Sequence, residues 1–492
     1  MERLFKKLKQ HSETDLYPYH MPGHKRTVCG ELSEALYSID ITEIDGFDNL
    51  HQSDGILKDL QAGAAKLYGA EESFYLVNGS TCGILAAIST AVPEGGHILI
   101  TRNCHKAVYH GIYLRNLTVS YLYPKLISEY DICGAIEPEQ VRCALEKDPT
   151  IDAVLIVSPT YEGRIANVSK IAEVVHERGI PLIVDEAHGA HLGFAKGFAQ
   201  NSCKCGADLV IHSTHKTLPA LTQTALLHVN GNRINRGVLK RFLRIYQTSS
   251  PSYVLMASID NALHYVQQQG ATIFEAFRNN FLEMCDSLAA CKQISCLFDD
   301  WNCQDVGKLV ISVKGTGISG KELYNILRDE YHLQLEMAAE TYVLAMFTVN
   351  DSLEAYTRME KALLEIDVRL QTMKSHNLFG ATSDFWGDIV SCDMQAPEKA
   401  FSMNYAWNAD SEWVLLENAV DKPVAEFVNL YPPGIPLLVP GEYLTKEIAY
   451  KIRDAVRQNL NVQGIEMNVE DAECALKKKH KDNLNIRIKV LR

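Results

Sequence analysis

The feature that most constrains the fold of this chain is a regular alternation of short apolar runs and amphipathic helical patterns between residues 56 and 213. Residues 56–68 carry apolar side chains at helical spacing, and Gly69 follows them as a stop signal. The apolar runs are typical of buried strands and cover 73–77, 97–101, 119–123, 152–158, 181–187 and 207–213, with further helices predicted at 80–92, 137–147 and 167–179. This alternation predicts an α/β fold, with a mostly parallel sheet and helices on both faces.

The pattern changes near residue 300. A chain of 492 residues is too long for one compact core. The run "KLVISVKG" begins a smaller α+β unit, and the proline-rich "YPPGIPLLVPGE" belongs to a further domain. We therefore predict an N-terminal arm at 1–55, a large domain at 56–300, a small α+β domain at 301–378 and a C-terminal domain at 379–492.

Charge and composition exclude several classes of protein. The chain has 48 Lys and Arg against 61 Asp and Glu, a formal charge of −13 that argues against nucleic-acid binding. It contains no apolar stretch of about eighteen residues, and its N-terminus lacks the apolar core of a secretory signal. The thirteen cysteines form no CxxC pair, so reduced thiols are expected. Together these features predict a cytoplasmic protein without a membrane span.

Two motifs suggest other chemistry, but each lacks a required part. "PLIVDEAH" and the later "GTGISGKE" are similar to the acidic strand and phosphate loop of an NTPase. Glu322 stands where a Ser or Thr should hold Mg²⁺, and the two motifs occur in the reverse of the usual order, so a turn before a helix is expected there. His188 and His191 have the spacing of metal ligands, but no third ligand is evident, and we predict no metal site.

Lys216 needs another explanation, because burying a lysine at the end of an apolar strand is costly unless the lysine is used. An aldehyde cofactor with a phosphate requires a lysine for a Schiff base, a carboxylate for its ring nitrogen, a small residue beside its ring and a helix N-terminus for its phosphate. Asp185 ends a predicted strand, and Ala187 follows on the same face. "NGST" (78–81) joins a strand to a helix, where its amides and hydroxyls can bind phosphate.

Eight segments, found in this order, carry a resemblance to a known family: "PYHMPGHKR", "TEIDGFDNLH", "VNGST", "RNCHKAVYHG", "VDEAHGAH", "HSTHKTLPALTQTA", "TSSPSYVLMASID" and "YPPGIPLLVPGE". They resemble the Orn/Lys/Arg decarboxylases, the bacterial branch of pyridoxal-phosphate enzymes with the aspartate-aminotransferase (type I) fold. The resemblance spans about 17–445, and the length is similar to that of short members without an N-terminal wing domain. One departure is "HQSDGIL", where a proline is expected before the isoleucine.

The resemblance implies pyridoxal 5′-phosphate as cofactor and a role for each matching residue. Lys216 forms the Schiff base, Asp185 pairs with the ring nitrogen, and His105 stacks on the outer face of the ring. The other residues implied to hold the cofactor are Gly79, Ser80, Thr81, Ala187, His188 (near the ring oxygen), Ser213, His215 and, across a homodimer interface, Ser250.

The implied activity is decarboxylation of a basic amino acid, arginine first and lysine or ornithine next, to the amine and CO₂. This reaction consumes a proton, which suits polyamine biosynthesis or acid resistance. The substrate's cationic end is expected to meet carboxylates, for which the candidates are Glu43, Asp45, Asp48 and Glu442. A homodimer or a larger homo-oligomer built from dimers is expected.

Two alternatives remain open from the sequence. One is another type I activity, such as a lyase or an aminotransferase, although no arginine stands out for the carboxylate of a keto acid. The other is a regulatory relative that keeps the fold without catalysis. The joint retention of Lys216, Asp185 and His105 argues against this second alternative.

Overall fold

The computed structural model describes residues 13–20, 24–25, 39–44, 46–300, 302–375, 397–431, 434–458, 460–467 and 484–492. Its helices are α1 (Ile56–Tyr68), α2 (Gly79–Ala91), α3 (Lys106–Leu114), α4 (Pro138–Lys147), α5 (Val168–His176), α6 (Thr214–Thr217), α7 (Arg236–Tyr246), α8 (Tyr253–Leu288), α9 (Gly320–Asp329), α10 (Leu353–Ser375), α11 (Met403–Asn408) and α12 (Lys446–Arg457), with 3₁₀ turns at Leu50–Gln52 and Leu416–Ala419. Its strands are β1 (Tyr17–Tyr19), β2 (Glu72–Leu76), β3 (His97–Thr101), β4 (Thr118–Leu122), β5 (Leu126–Ile127), β6 (Ile132–Cys133), β7 (Ala153–Val157), β8 (Leu182–Asp185), β9 (Leu209–His212), β10 (Ala225–Val229), β11 (Ser295–Cys296), β12 (Lys308–Ser312), β13 (Leu333–Leu335), β14 (Met337–Ala338), β15 (Tyr342–Met346), β16 (Ser411–Leu415), β17 (Val428–Tyr431), β18 (Ile435–Leu438), β19 (Asn461–Gln463), β20 (Ile465–Glu466) and β21 (Arg487–Leu491).

A seven-stranded sheet in the order β2-β10-β9-β8-β7-β3-β4 forms the centre of the fold. Strands β4, β3, β7, β8 and β9 run parallel, whereas β10 is antiparallel to both of its neighbours. The predicted α/β class is confirmed, and the helix predicted at 56–68 has those bounds. Strand β10 was not predicted. Its link from β9 contains only the one-turn helix α6 instead of a crossover helix, so the chain returns antiparallel.

Strand β7 shows why the sheet is covered on both faces. Val154 and Ile156 lie in the hydrophobic core on one side of the sheet, and Ala153 and Leu155 lie in the core on the other. All four are fully buried. Because successive side chains of a strand point to opposite faces, an uninterrupted apolar run requires helices on both.

A line of buried polar side chains crosses the sheet and fixes the register of β10. Oγ of Ser73 lies 2.6 Å from Nδ1 of His228, whose Nε2 lies 3.0 Å from Nδ1 of His212. Nε2 of His212 lies 2.7 Å from a carboxylate oxygen of Glu186. A one-residue slip of β10 would turn His228 to the other face and remove its contacts with Ser73 and His212.

A second, smaller sheet has the order β11-β12-β15-β14. The N-terminal arm joins this part of the molecule, because β1 pairs in parallel with β13 and the ammonium of Lys25 donates to the carbonyl of Met346 at 2.7 Å. The glycine-rich 315–320 stretch leads into α9, whose first turn is closed by a capping box between Ser319 and Glu322. We propose that this sheet forms the small domain of the predicted four-part division.

The C-terminal part forms two three-stranded sheets, β16-β21-β20 and β18-β17-β19. It is joined to the central sheet by Arg102, which follows β3. The Arg102 guanidinium donates to the carbonyl of Pro436 at 2.9 Å and lies 3.1 Å from the carboxylate of Glu442. Among the helices that the structure describes, none combines the length and apolar character needed to cross a membrane.

Candidate active site

Most of the predicted cofactor residues gather at the carboxyl ends of the central strands, where open α/β sheets bind ligands. A cavity of about 300 Å³ there is lined by Gly79, Ser80, Thr81, Ile84, Asn103, His105, Val157, Tyr161, Asp185, Ala187, His188, His215, Lys216, Glu336 and Ile435. A larger recess of about 500 Å³ lies between α1 and α7 and contains none of the predicted site residues. The smaller cavity is therefore the candidate active site.

Lys216 reaches the cavity from the one-turn helix α6, directly after β9. Its Nζ lies 3.0 Å from Nε2 of His188. Burial lowers the pKa of Lys216, and the nearby carboxylates of Asp185 and Glu336 oppose this shift. A lowered pKa increases the fraction of free amine, which is the form that attacks an aldehyde.

Asp185 ends β8 and is 4% exposed. Its Oδ1 accepts the N–H of Ala187 at 3.2 Å. Burial raises the pKa of Asp185, and the charge of Lys216 opposes this shift. A protonated ring nitrogen beside Asp185 would favour its carboxylate form. Ala187 has no side chain beyond Cβ, so its position suits close approach of a flat ring.

His105 caps the N-terminus of α3. Its Nδ1 accepts the N–H of Ala107 at 3.2 Å, which places the ring proton on Nε2. Burial and the charge of Lys216 lower the pKa of His105 to about 3. The ring is therefore neutral at neutral pH.

The first turn of α2 has the properties of a phosphate site. Gly79 begins this helix at φ +73°, in the left-handed region that favours glycine. Asn78 provides no side-chain cap, because its Oδ1 accepts the N–H of Thr248 at 3.2 Å. The N–H groups of the first turn have no partner within a helix, and Ser80 and Thr81 lie in this turn beside the cavity. An uncapped helix start with hydroxyls fits a phosphate group.

Ser213 supplies a second observation that fits a phosphate, although it does not line the cavity itself. Its Oγ is buried and has no hydrogen-bond partner among the described residues. His215 follows, and its Nδ1 lies 2.8 Å from the carbonyl oxygen of Thr224, so this nitrogen carries the proton. Burial lowers the pKa of His215 to about 4, which leaves Nε2 as an acceptor. A phosphate dianion beside Nε2 would favour its protonation.

Ser250 lies away from the cavity lining, on the exposed link between α7 and α8. Its backbone N–H donates to Oγ1 of Thr248 at 3.2 Å. Its predicted contact with phosphate requires a partner subunit, and it stays a prediction.

Two of the carboxylates considered for substrate binding have several partners within the chain. Glu442 is 3% exposed, lies against Arg102 and accepts the N–H of Val439 at 2.8 Å. Asp48 accepts backbone N–H groups at and before the start of α1, from Asn49, Asp54, Gly55, Leu57 and Lys58. Glu43 is exposed and does not line the cavity, and Asp45 lies outside the described residues.

The sequence reasoning missed three polar residues of the cavity lining, Asn103, Tyr161 and Glu336, and one residue beside it, Lys308. The hydroxyl of Tyr161 donates to Glu336, and its ring centre lies 5.0 Å from that of His188. Nζ of Lys308 lies 2.8 Å from Nδ1 of His188. The sequence contains a pattern that could have indicated Lys308. This lysine begins an apolar strand, and Lys216 lies shortly after the end of one. Tyr161 and Glu336 had no comparable pattern.

The two histidines considered as metal ligands have different partners. His188 lies between Lys216 and Lys308, whereas Nε2 of His191 lies 2.8 Å from Oδ1 of Asp305. Within the residues that the structure describes, no group of three His, Cys, Asp or Glu side chains is placed to hold a metal ion.

Comparisons with known proteins agree with this arrangement. The family model of the Orn/Lys/Arg decarboxylase major domain matches residues 3–314, and that of the family's C-terminal domain matches 389–487. An arginine decarboxylase of Halalkalibacterium halodurans and one of Bacillus subtilis are each 30% identical to the chain, covering 94% of it and 95% of their own lengths. Lysine decarboxylase A of Pseudomonas aeruginosa has a similar fold, with a TM-score of 0.75 and 18% identity over 99% of this chain and 80% of that one.

Proposed function

Because the chain belongs to the Orn/Lys/Arg decarboxylase family, we propose that it uses pyridoxal phosphate to convert arginine into its amine and CO₂. The observation that carries this proposal is the pairing of Lys216 and Asp185 in one cavity, with a lowered pKa for the first and a buried carboxylate for the second. Arginine is favoured over lysine and ornithine because the two named relatives above are arginine decarboxylases.

The residues of the cavity suit the cofactor's parts, and we assign them accordingly. Lys216 is the amine that condenses with the aldehyde, Asp185 holds a proton on the ring nitrogen, and His105 stacks on the ring. The phosphate is held by the first turn of α2 (Gly79, Ser80 and Thr81), by Ser213 and His215, and by the partner's Ser250. His188 lies beside the ring oxygen. The bound cofactor supplies an electron sink for the bond that breaks at Cα.

The protein's own contribution is orientation and one proton. The cavity must hold the substrate's Cα–carboxylate bond perpendicular to the cofactor ring, because alignment decides which bond breaks. Loss of CO₂ leaves a site at Cα that takes up a proton. We assign the delivery of this proton to Lys216. Nε2 of His188 lies 3.0 Å from Nζ of Lys216 and can supply a proton to it in turn. One proton is consumed per turnover.

The electrostatics of the cavity favour a cationic substrate. Its lining contains two carboxyl groups, Asp185 and Glu336, among the residues that the structure describes. Asp185 is assigned to the ring nitrogen. Glu336 is held by the hydroxyl of Tyr161 and lies on the small-domain side of the cavity. We further propose a cytoplasmic homodimer, or an oligomer built from dimers, that serves polyamine biosynthesis or acid resistance.

The proposal is tested by incubating the purified full chain, loaded with pyridoxal phosphate, separately with arginine, lysine and ornithine. We expect amine and CO₂ in equal amounts, with arginine giving the highest kcat/KM, by about tenfold or more. The amine is identified by mass spectrometry. A 2-oxo acid in place of the amine would instead indicate an aminotransferase. A loaded protein that releases no CO₂ from any of the three would contradict a decarboxylase.

A further inference from the structure

A second buried lysine lies beside the candidate active site, in contact with His188, and has no role in the assignment above. Lys308 begins β12 of the small sheet, and it is 1% exposed. Its Nζ lies 2.8 Å from Nδ1 of His188, whose Nε2 lies 3.0 Å from Nζ of Lys216. The imidazole of His188 therefore bridges two lysines, one from each sheet.

The hydrogen-bond capacity of these groups restricts their protonation. Burial, together with the charges of Lys216 and Lys308, lowers the pKa of His188 well below its usual value, so its ring is neutral. A neutral imidazole has one N–H donor and one acceptor nitrogen, whereas an ammonium group can only donate. When both contacts are hydrogen bonds, the lysine that accepts the N–H of the ring must be a free amine, and the lysine that donates to the other nitrogen can be an ammonium ion.

The surrounding charges decide which lysine keeps the proton. The charge of Asp305 favours the ammonium form of Lys308 most, followed by that of Glu336, whereas the charge of Lys216 opposes it. Glu162 adds less, since burial raises its own pKa, and the ring centre of Tyr161 lies 5.5 Å from Nζ of Lys308. Burial lowers the pKa of Lys308 to about 8, so it is mostly charged at neutral pH. His191 helps to keep Asp305 ionised: although burial acts to raise the pKa of Asp305, His191 and Lys308 lower it.

The ammonium form of Lys216 is stabilised less by nearby charges than that of Lys308. The charges that favour its ammonium form are Asp185 and Glu336, and Glu336 is shared with Lys308. The pKa of Asp185 is itself raised by burial, so this carboxyl group is a weaker counter-ion than Asp305, whose pKa is lowered. His105 and His215 are further titratable rings near Lys216, and burial lowers the pKa of both, so neither adds a positive charge.

We propose that Lys308 is a positioning residue that donates to Nδ1 of His188, holds the proton of this ring on Nε2 and thereby keeps Lys216 as the free amine that condenses with the cofactor. This inference deepens the proposed function and rests on it, since it assumes that Lys216 is the condensing amine. The two hydrogen bonds then run in one direction: Lys308 donates to His188, and His188 donates to Lys216.

The test compares Lys308→Met, which removes the donor and the charge, with Lys308→Arg, which keeps both. Lys361→Met is the matched control, because this lysine is exposed on α10. The full chain is freed of cofactor, and the rate of pyridoxal phosphate uptake is followed by visible absorbance from pH 6 to 10. The method needs no turnover. Circular dichroism checks folding, and Lys308→Gln replaces the Met variant if that variant does not fold.

In the Met variant, Lys216 is expected to keep the proton and to donate to His188. The pH midpoint of cofactor uptake should therefore rise by about one unit, with a roughly tenfold slower uptake at pH 7. The Arg variant should lie near the wild type, and the control should be unchanged. A midpoint in the Met variant that is unchanged or lower overturns the proposal, even if its decarboxylase activity falls.

The role of Lys308 and the proposed decarboxylase activity can fail independently of each other. A midpoint shift with no amine formed from any basic amino acid would support the role of Lys308 and reject the decarboxylase. Amine formation without a midpoint shift would support the decarboxylase and reject the role of Lys308.

Discussion

Lys216 and Asp185 lie in the same buried site, and burial shifts the pKa of each towards its uncharged form. For the lysine this increases the free amine, and for the aspartate it increases the neutral acid. The two groups need opposite outcomes, because the amine must be free and the carboxylate must be charged when the ring nitrogen is protonated. A protonated ring nitrogen beside Asp185 would lower the pKa of this carboxyl group and so favour its charged form.

The first residue-scale prediction concerns Lys216. Lys216→Ala should abolish the visible absorbance band of the bound cofactor, because no amine is left in the cavity to condense with the aldehyde. Decarboxylation should fall by about a thousandfold or more, roughly 4 kcal/mol of barrier. Borohydride reduction of the wild type, followed by peptide mass spectrometry, should find the cofactor on Lys216. Cofactor trapped on a different lysine would show that Lys216 is not the condensing residue.

The second residue-scale prediction concerns Asp185. Asp185→Asn keeps the size of the side chain but removes its charge, so the variant should bind cofactor and lose most of its kcat. We expect a loss of about a hundredfold or more, roughly 2.7 kcal/mol of barrier, because the ring nitrogen is no longer held protonated. Steady-state kinetics with saturating cofactor provide the measurement. A variant within about twofold of the wild type, roughly 0.4 kcal/mol, would remove Asp185 from the mechanism.

At the scale of elements, the start of α1 depends on one carboxylate. Asp48 lies before the helix and accepts N–H groups at and before its start, from Gly55 at 2.8 Å and from Leu57 at 3.1 Å among others. Asp48→Ala should lower the free energy of unfolding by about 1–3 kcal/mol, since it leaves these donors, of which that of Leu57 is buried, without their partner. The control Asp59→Ala removes an exposed charge from the first turn of the same helix and should cost less than about 1 kcal/mol.

The pH dependence of this difference is also predicted. Burial acts to raise the pKa of Asp48, but the N–H donors of Asp54, Gly55 and Lys58 outweigh it and lower the pKa from 3.8. A carboxyl group with a lowered pKa stabilises the fold above its unfolded pKa and loses this effect as pH falls through its folded value. Urea unfolding should therefore show a smaller difference between wild type and Asp48→Ala at pH 3 than at pH 6. A constant difference would mean that the charge of Asp48 is not what holds the helix start.

The sequence predicted local elements better than it predicted contacts between them. The helix 56–68 and the strand 97–101 have their predicted bounds, because their apolar periodicity is a property of a few adjacent residues. Strand β10 was missed because its antiparallel pairing depends on β2, about 150 residues earlier. Lys308 and Glu336 were missed for the same reason, since they reach His188 and Tyr161 from a different sheet. The contact of Glu442 with Arg102 was not predicted either, because the two residues are 340 positions apart.

At the scale of the whole molecule, the site lies where three parts of the chain meet. The central sheet supplies Lys216, the small-sheet region supplies Glu336, and the C-terminal region supplies Ile435. The link 247–252 passes near this site, because Thr248 donates to Asn78 at the start of α2. Its next residues, including Ser250, are exposed on the surface of the single chain. An exposed segment beside the proposed phosphate site is the arrangement expected where a two-fold partner completes that site.

A subunit-mixing experiment tests the shared site. Lys216→Ala and Ser250→Glu should each be inactive alone, the second because its added charge repels the phosphate. If Ser250 crosses to the partner, a mixed dimer contains one site with both native groups. Half of randomly mixed dimers are mixed, so about a quarter of wild-type activity should return. No recovery after confirmed subunit exchange would mean that Ser250 serves its own chain or neither site.

The position of Ile435 in the cavity wall also bears on when the enzyme acquires its cofactor in the cell. Lys216 is synthesised about 220 residues before Ile435. At roughly 5–20 residues per second, the ribosome needs on the order of 10–40 s to cover this distance. For that time the nascent chain has its reactive amine but lacks one wall of the cavity around it. We therefore expect stable loading with pyridoxal phosphate late in biosynthesis, and a chain that ends before Ile435 would keep Lys216 but lack this part of the cavity wall.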